Sequence, residues 1–281
     1  MAMNAWLRTI RATSVDCHDR HRQRMSKVAA ANIGETQALL HSAAAHAGGV
    51  CVLTGAGMSA ESGIATFRDA LTGLWARFDP AQLASEEGFR ADPERVWGWY
   101  AERREGVLRA QPNAGHHALG AFAQRHPGAL VVVTQNVDDL HQRAGNVDAI
   151  RLHGDILEDR WLEAGACGGR CVARPGRPPA CARCGNLMRP GVVWFGEMLP
   201  QAAIGAAQQA AQTCRVLLVV GTSGAVWPAA GLAQLARRSG ARVIIVNPAA
   251  SEIDDQAHTV LRGTAAQLLP MLLAPAAAGP D

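Results

Sequence analysis

Apolar residues in this chain gather into short unbroken runs instead of alternating with polar ones. Val50–Thr54, Ala129–Thr134, Arg215–Val220 and Arg242–Asn247 each read as a strand buried on both faces, as in the interior of a parallel sheet. Helical patterns lie around and between them: Glu35–Ala47, ended by Gly48-Gly49, then Ala114–Gln124, Gln201–Gln212 and Ala229–Arg238. Strands alternating with helices build βαβ units, so the pattern predicts an α/β fold with a doubly wound parallel sheet. Ligands of such sheets bind beyond the carboxyl ends of the strands. Those ends read Thr54-Gly55-Ala56-Gly57, Thr134-Gln135-Asn136, Gly221-Thr222-Ser223 and Asn247-Pro248, all small or polar and placed so that one ligand could touch all four.

The rhythm breaks over Asp155–Phe195, which is rich in Gly, Pro, Arg and Cys and reads as an inserted module. The expected organisation is an extension over 1–27, a Rossmann-like domain over 28–154 and 197–274, the module over 155–196, and a tail over 275–281. Composition narrows this only in part. A chain of 281 residues with 48% hydrophobic content can bury a sizeable core. The formal charge of +3 is spread along the sequence, which gives no reason to expect a nucleic-acid partner. No apolar stretch approaches the roughly 18 residues of a membrane span, and the run Gln267–Ala274 is broken by Pro270. Of the 27 basic residues only Lys27 is a lysine, a bias that GC-rich codons explain. Arg8, Arg11, Arg20, Arg22 and Arg24 precede no apolar run, so the N-terminus does not read as a secretory signal. A cytoplasmic location is expected, with a mitochondrial presequence as the alternative that Asp16 and Asp19 argue against. Met25 is an alternative start.

Four of the seven cysteines, Cys167, Cys171, Cys181 and Cys184, have the spacing C-x3-C-x9-C-x2-C. Two close pairs present four thiolates, the ligand set of a closed structural zinc site. Four sulfurs leave no open position for catalysis. Cys17 reads as a surface thiol, and Cys51 and Cys214 as core residues.

The run Thr54–Asp69 follows the first strand and is expected to open a helix. Its glycines let backbone approach a phosphate, and a helix start offers N–H groups and a positive dipole end. Phe67 and Arg68 extend the loop far enough to cover a dinucleotide. Asn136 and Asp138 leave the second strand toward the same crevice, with side chains suited to an amide or to ribose hydroxyls. His153, in Leu152-His153-Gly154, stands just before the cysteine module.

The Gly55–Arg68 loop, Gln135–Asp138, His153-Gly154, the two cysteine pairs, Val193-Trp194-Phe195-Gly196-Glu197, Gly221-Thr222-Ser223 and Asn247 stand in one order. In that order the chain resembles the sirtuin family over about residues 35 to 273. The resemblance implies an NAD-dependent protein-lysine deacylase that acts on acylated-lysine proteins or peptides and carries one structural zinc ion. It assigns NAD to Gly55, Ala56, Gly57, Ser59, Ala60, Phe67, Arg68, Gln135, Asn136, Asp138, Gly221, Thr222, Ser223 and Asn247. By that resemblance the acyl oxygen is expected to attack the ribose carbon bearing nicotinamide, with Asn136 and Asp138 holding the ribose and carboxamide and His153 as the general base. The products are free lysine, nicotinamide and O-acyl-ADP-ribose. Val193, Trp194 and Phe195 are expected to form an exposed strand that pairs with the substrate backbone. Ala65 stands where the family's loop usually has proline, which predicts a less restricted loop and weaker NAD binding. The x3 spacing of Cys167 and Cys171 departs from the commoner x2.

Tyr100 and Arg103 lie one helical turn apart, and the pair matches the Tyr-x-x-Arg of the sirtuin branch that removes dicarboxylic acyl groups. Arginine grips a carboxylate with a fork, and a tyrosine hydroxyl adds a third bond. Ala84 aligns with the small residue of that branch's pocket. Removal of succinyl and malonyl groups is therefore expected, with acetyl as a second activity. Three other readings stand beside it: an NAD-dependent oxidoreductase, a non-catalytic zinc and ADP-ribose module, and a protein ADP-ribosyltransferase.

Overall fold

The protein is described by a computed structural model over residues 32–65 and 80–275. Helix α1 (32–43) leads into β1 (Val50–Thr54). Three helices, α2 (Pro80–Leu83), α3 (Glu86–Ala91) and α4 (Pro93–Arg109), precede α5 (Ala114–Arg125) and β2 (Leu130–Thr134). The chain continues through α6 (Leu140–Arg143), β3 (Ile150–Arg151), β4 (Gly154–Trp161), β5 (Ala173–Arg174), β6 (Ala180–Cys181) and β7 (Met188–Val192). It ends with α7 (Gln201–Thr213), β8 (Val216–Val220), α8 (Gly231–Arg238), β9 (Arg242–Val246), β10 (Thr259–Leu261) and α9 (Ala265–Leu272).

Six strands form one sheet in the order β10-β9-β8-β1-β2-β3, every neighbouring pair parallel. Two chain segments wind outward from the centre in opposite directions, and the crevice of such a sheet opens where they part, beyond the carboxyl ends of β1 and β8. The four expected strands match β1, β2, β8 and β9 to within a residue at each end. The edge strands β3 and β10 were not anticipated.

Successive side chains of a strand point to opposite faces, and here both faces are dry. Cys51, Leu53, Leu217, Val219, Val243 and Ile245 pack against Ala207, Ala211, Leu232 and Ala236 of α7 and α8. Val50, Val52, Val216, Leu218, Ile244 and Val246 pack against Leu40, Leu119, Phe122, Leu269 and Leu272 of α1, α5 and α9. Two apolar faces leave no polar register, which is why the strands read as unbroken runs. Each large aliphatic side chain so buried contributes about 1.5–3 kcal/mol.

A third core joins Leu83, Phe89, Val96, Trp99, Tyr100 and Val107 of α2 to α4 with Ile156 of β4, Val192 of β7 and Trp194. The segment 80–109, which the sequence pattern leaves with the Rossmann-like part, thus shares its interior with the inserted module. Asp92 caps α4 through the Arg95 N–H at 3.0 Å, with Pro93 in the first turn. Arg104 of the same helix reaches the Ile156 carbonyl at 2.7 Å and the Asp159 carboxylate at 2.6 Å, tying α4 to β4.

The helix expected directly after β1 is not formed over the described residues. Two short 3-10 turns, Ala56–Met58 and Ala60–Ser62, take its place, and Gly63 at φ 83° closes the second. Phe67, Arg68, Cys17 and the extension 1–27 lie outside the described residues. Among those described, no helix is long and apolar enough to cross a membrane.

Candidate active site

The loops beyond β1, β2, β8 and β9 are bonded to one another. Gly55 N–H donates to the Val220 carbonyl at 2.9 Å and Gly57 N–H to the Gly221 carbonyl at 2.8 Å. A Cβ on Gly57 would lie 2.7 Å from Gly221 Cα, so glycine is needed where these two backbones touch. Part of the expected phosphate cradle is therefore spent on loop packing. Ala56 and Ala60 each open a 3-10 turn. Thr222 is the hub of the crevice. Its hydroxyl accepts from Gln135 Nε2 at 3.2 Å, and its carbonyl accepts from Asn247 Nδ2 at 3.2 Å. Ser223 is exposed beside it.

Ser59 joins the two polar side chains that follow β2. Its hydroxyl donates to Asp138 Oδ2 at 2.9 Å and accepts from Asn136 Nδ2 at 3.1 Å. Burial pushes the Asp138 carboxyl above its usual range, partly offset by hydrogen bonds from the Leu140 N–H and Ser59 and by the charge of Arg151. His153 Nδ1 lies 2.8 Å from the Gln135 carbonyl. A carbonyl only accepts, so Nδ1 carries the proton of the neutral ring and Nε2 keeps its lone pair. Burial lowers the His153 pKa, against the opposing pull of that carbonyl, so the ring is neutral and basic near pH 7.

The His153 carbonyl accepts the Val193 N–H at 2.8 Å, and the Ala84 carbonyl accepts the Phe195 N–H at 2.8 Å. The segment expected as a free strand is thus sewn to its neighbours at both ends. Trp194 is buried in the third core: its indole N–H donates to Tyr100 Oη at 3.0 Å and its ring lies 5.3 Å from Phe89. Phe195 is 52% exposed and Val193 half-buried, so these two, and not Trp194, face outward. Glu197 braces the segment by accepting the Trp194 N–H at 2.8 Å and pairing with Arg189, which is 2% exposed. Tyr100 is buried, which pushes its hydroxyl to about 12 and keeps it a donor. The half-buried Arg103 guanidinium stacks 4.8 Å over Trp99.

Cys167, Cys171, Cys181 and Cys184 bring their sulfurs within 4.8 Å of one another. Cys171 and Cys184 are 3.7 Å apart and Cys167 and Cys181 4.0 Å. A zinc–thiolate tetrahedron with bonds of about 2.3 Å has edges near 3.8 Å, so the four ligands fit the ion despite the x3 spacing. Cys51 and Cys214 are buried, as expected.

The Sir2 family profile matches residues 55–228. The chain is 58% identical over 228 residues to an NAD-dependent protein deacylase of Ralstonia nicotianae, covering 80% of this chain and 91% of that one. The chain belongs to the Sir2 family. A solved Sir2 homologue–NAD complex is 42% identical with a TM-score of 0.71, covering 80% of this chain and 87% of that one. Sir2Tm bound to a propionylated peptide is 30% identical with a TM-score of 0.67, covering 80% and 91%. In this Sir2-family chain NAD is a co-substrate.

Two features of the site were not legible beforehand. Asn113 caps α5 and also donates from Nδ2 to the Met58 carbonyl at 2.8 Å and Ser62 Oγ at 3.0 Å, holding both 3-10 turns. Pro112-Asn113 before an apolar helix was the available signal. Behind the strand ends, His141 Nε2 bonds Thr54 Oγ1 at 3.0 Å, and its ring lies 5.0 Å from that of His116. Burial chiefly lowers His116 to about 3 and His141 to about 4. Below about pH 6.5 the unfolded chain binds protons that these histidines refuse in the fold, so stability declines as pH falls from 6.5 toward 4. Melting curves across that window should show the decline and a shallower slope in H116Q. An unchanged slope in H116Q would remove His116 as a cause.

Proposed function

We propose that this site removes acidic acyl groups, succinyl and malonyl, from protein lysines, with acetyl removal as a second activity. The enzyme class, NAD-dependent protein-lysine deacylase, rests on the family and on the catalytic groups assembled above. The acyl preference rests on one observation. Arg103 holds a partly desolvated cation with no carboxylate partner among the described residues, whereas adjacent Arg104 is committed to Asp159 and the Ile156 carbonyl. A desolvated guanidinium gains most from a carboxylate brought to it.

The Tyr100 hydroxyl, already accepting from Trp194, keeps its proton to donate to the same carboxylate. Ala84, whose carbonyl holds Phe195, shares the third core with Tyr100 and adds little bulk there. NAD supplies the ribose carbon that receives the acyl oxygen. Asn136 and Asp138 orient the ribose and carboxamide, and His153 Nε2 takes a proton from a ribose hydroxyl so that it can attack the acyl carbon. Phe195 and Val193 flank the acyl-lysine.

Arg103→Met should cut kcat/KM on a succinyl-lysine peptide by about 100-fold or more, while deacetylation stays within about threefold. Equal loss of both activities would overturn the pocket assignment. Mass spectrometry of the products tests the class: O-acyl-ADP-ribose marks deacylation, and ADP-ribose joined to protein marks transfer.

A further inference from the structure

Arg151 ends β3, two residues before His153, and its side chain turns back toward the loop that follows β2. Its Nη2 donates to the Asp138 carbonyl at 2.6 Å and to the Val137 carbonyl at 3.3 Å, and its Nη1 pairs with the Asp155 carboxylate. The other Asp155 oxygen accepts the Leu157 N–H at 2.8 Å, and Ile156 N–H reaches the same Val137 carbonyl at 3.0 Å. Both charged side chains are largely covered, at 20% and 17% exposure. One guanidinium therefore joins the loop that carries Asp138, the strand end that leads to His153, and the start of β4.

We propose that Arg151, steadied by Asp155, is a positioning residue that fixes Asp138 for NAD and holds it in register with His153. The geometry calls for arginine: a planar fork bonds two carbonyls and a carboxylate in fixed directions, and a lysine ammonium is a single point. The charge acts as well. Around Asp138 stand the Arg151 cation on β3, Asp139 on its own loop, the Ser59 hydroxyl from the turn after β1, and the Leu140 N–H that opens α6. Burial and Asp139 push the Asp138 carboxyl up, and Arg151 is the cation that pulls it down. His153 owes its own shift to burial and the Gln135 carbonyl, so a change at Arg151 is read mainly at Asp138.

The inference rests on the NAD-dependent deacylase reading and not on the acyl preference. Its test therefore uses NAD binding by calorimetry over a pH series, with turnover of an acetyl-lysine peptide measured alongside. Arg151→Met should weaken NAD binding about tenfold and move the acid side of the binding profile to higher pH. KM for NAD should rise more than kcat falls. Arg151→Lys keeps the charge and loses the fork, so affinity should fall while the profile stays in place. Asp155→Asn keeps the cation and loosens its anchor, so NAD affinity should fall by less than in Arg151→Met, with no upward move of the acid side of the profile. Folded Arg151→Met with wild-type affinity and profile would overturn the proposal. If that variant does not fold, wild-type NAD affinity in both Arg151→Lys and Asp155→Asn overturns it equally.

Discussion

His153→Ala is expected to leave a folded protein that still binds NAD and removes acyl groups about 10²–10⁴-fold more slowly, the range of a lost general base. The Val193 N–H bonds to the backbone carbonyl of residue 153, which alanine keeps. Little of the fold should therefore change. The role proposed for it is on a ribose hydroxyl after nicotinamide has left, so the two halves of the reaction should separate. Exchange of labelled nicotinamide into NAD should persist in the variant, while O-acyl-ADP-ribose disappears. If exchange and product formation fall together with NAD affinity intact, His153 acts at the first step and the assignment is wrong. Wild-type turnover in the variant would remove His153 from the catalytic groups, and NAD binding without turnover in the unaltered protein would point to a binding module.

Stripping the metal should have the largest effect on the fold. The hairpin β5–β6 has two residues in each strand, and most of 163–186 is exposed, so little apolar surface is buried there. Such a segment lacks the hydrophobic burial to order itself, and metal binding must supply the folding energy, about 10 kcal/mol or more in isolated zinc peptides. Cys181→Ser should therefore lose the metal, measured as zinc per chain near one in the wild type and near zero in the variant. Limited proteolysis should then cut between Leu162 and Leu187. The six-stranded sheet, whose two cores contain none of the four ligands, should survive with its far-ultraviolet circular dichroism largely intact. Activity should fall with the metal, because β4 and β7 lead directly into His153 and Val193. A zinc-free variant of full activity and unchanged protease resistance would refute this account.

The central strands were legible because burial on both faces writes itself as an unbroken apolar run, as in Val216–Val220. Strands β3 and β10 were not, because two or three residues at a sheet edge carry no period to read. The cysteine spacing exposed the metal site, since thiolate pairs have few other uses at that separation. Trp194 and Phe195 show the limit of pattern. Both are large, apolar and adjacent, and only the third core decides that the first is buried against Tyr100 and the second faces outward. That core was itself hidden, because amphipathic helices between 80 and 109 announce that they bury a face without naming the partner. The turns after β1 escaped prediction for a related reason: their glycines answer to Gly221 on a distant loop.

The sheet order carries a consequence for how the molecule is made. β1 lies in the middle, with Val50 against Leu130 on one side and Val216 on the other. A nascent chain emerging from the ribosome offers β1 long before it offers β8, so the innermost strand waits with one edge bare while the module is synthesised. Contacts that distant in sequence form slowly, and open edges invite wrong partners. Thr222 and Asn247, which join the loops at the strand ends, come from this late half, so on the proposed site NAD should not rescue a shorter N-terminal fragment. Ligand-assisted folding is available only to the nearly finished chain.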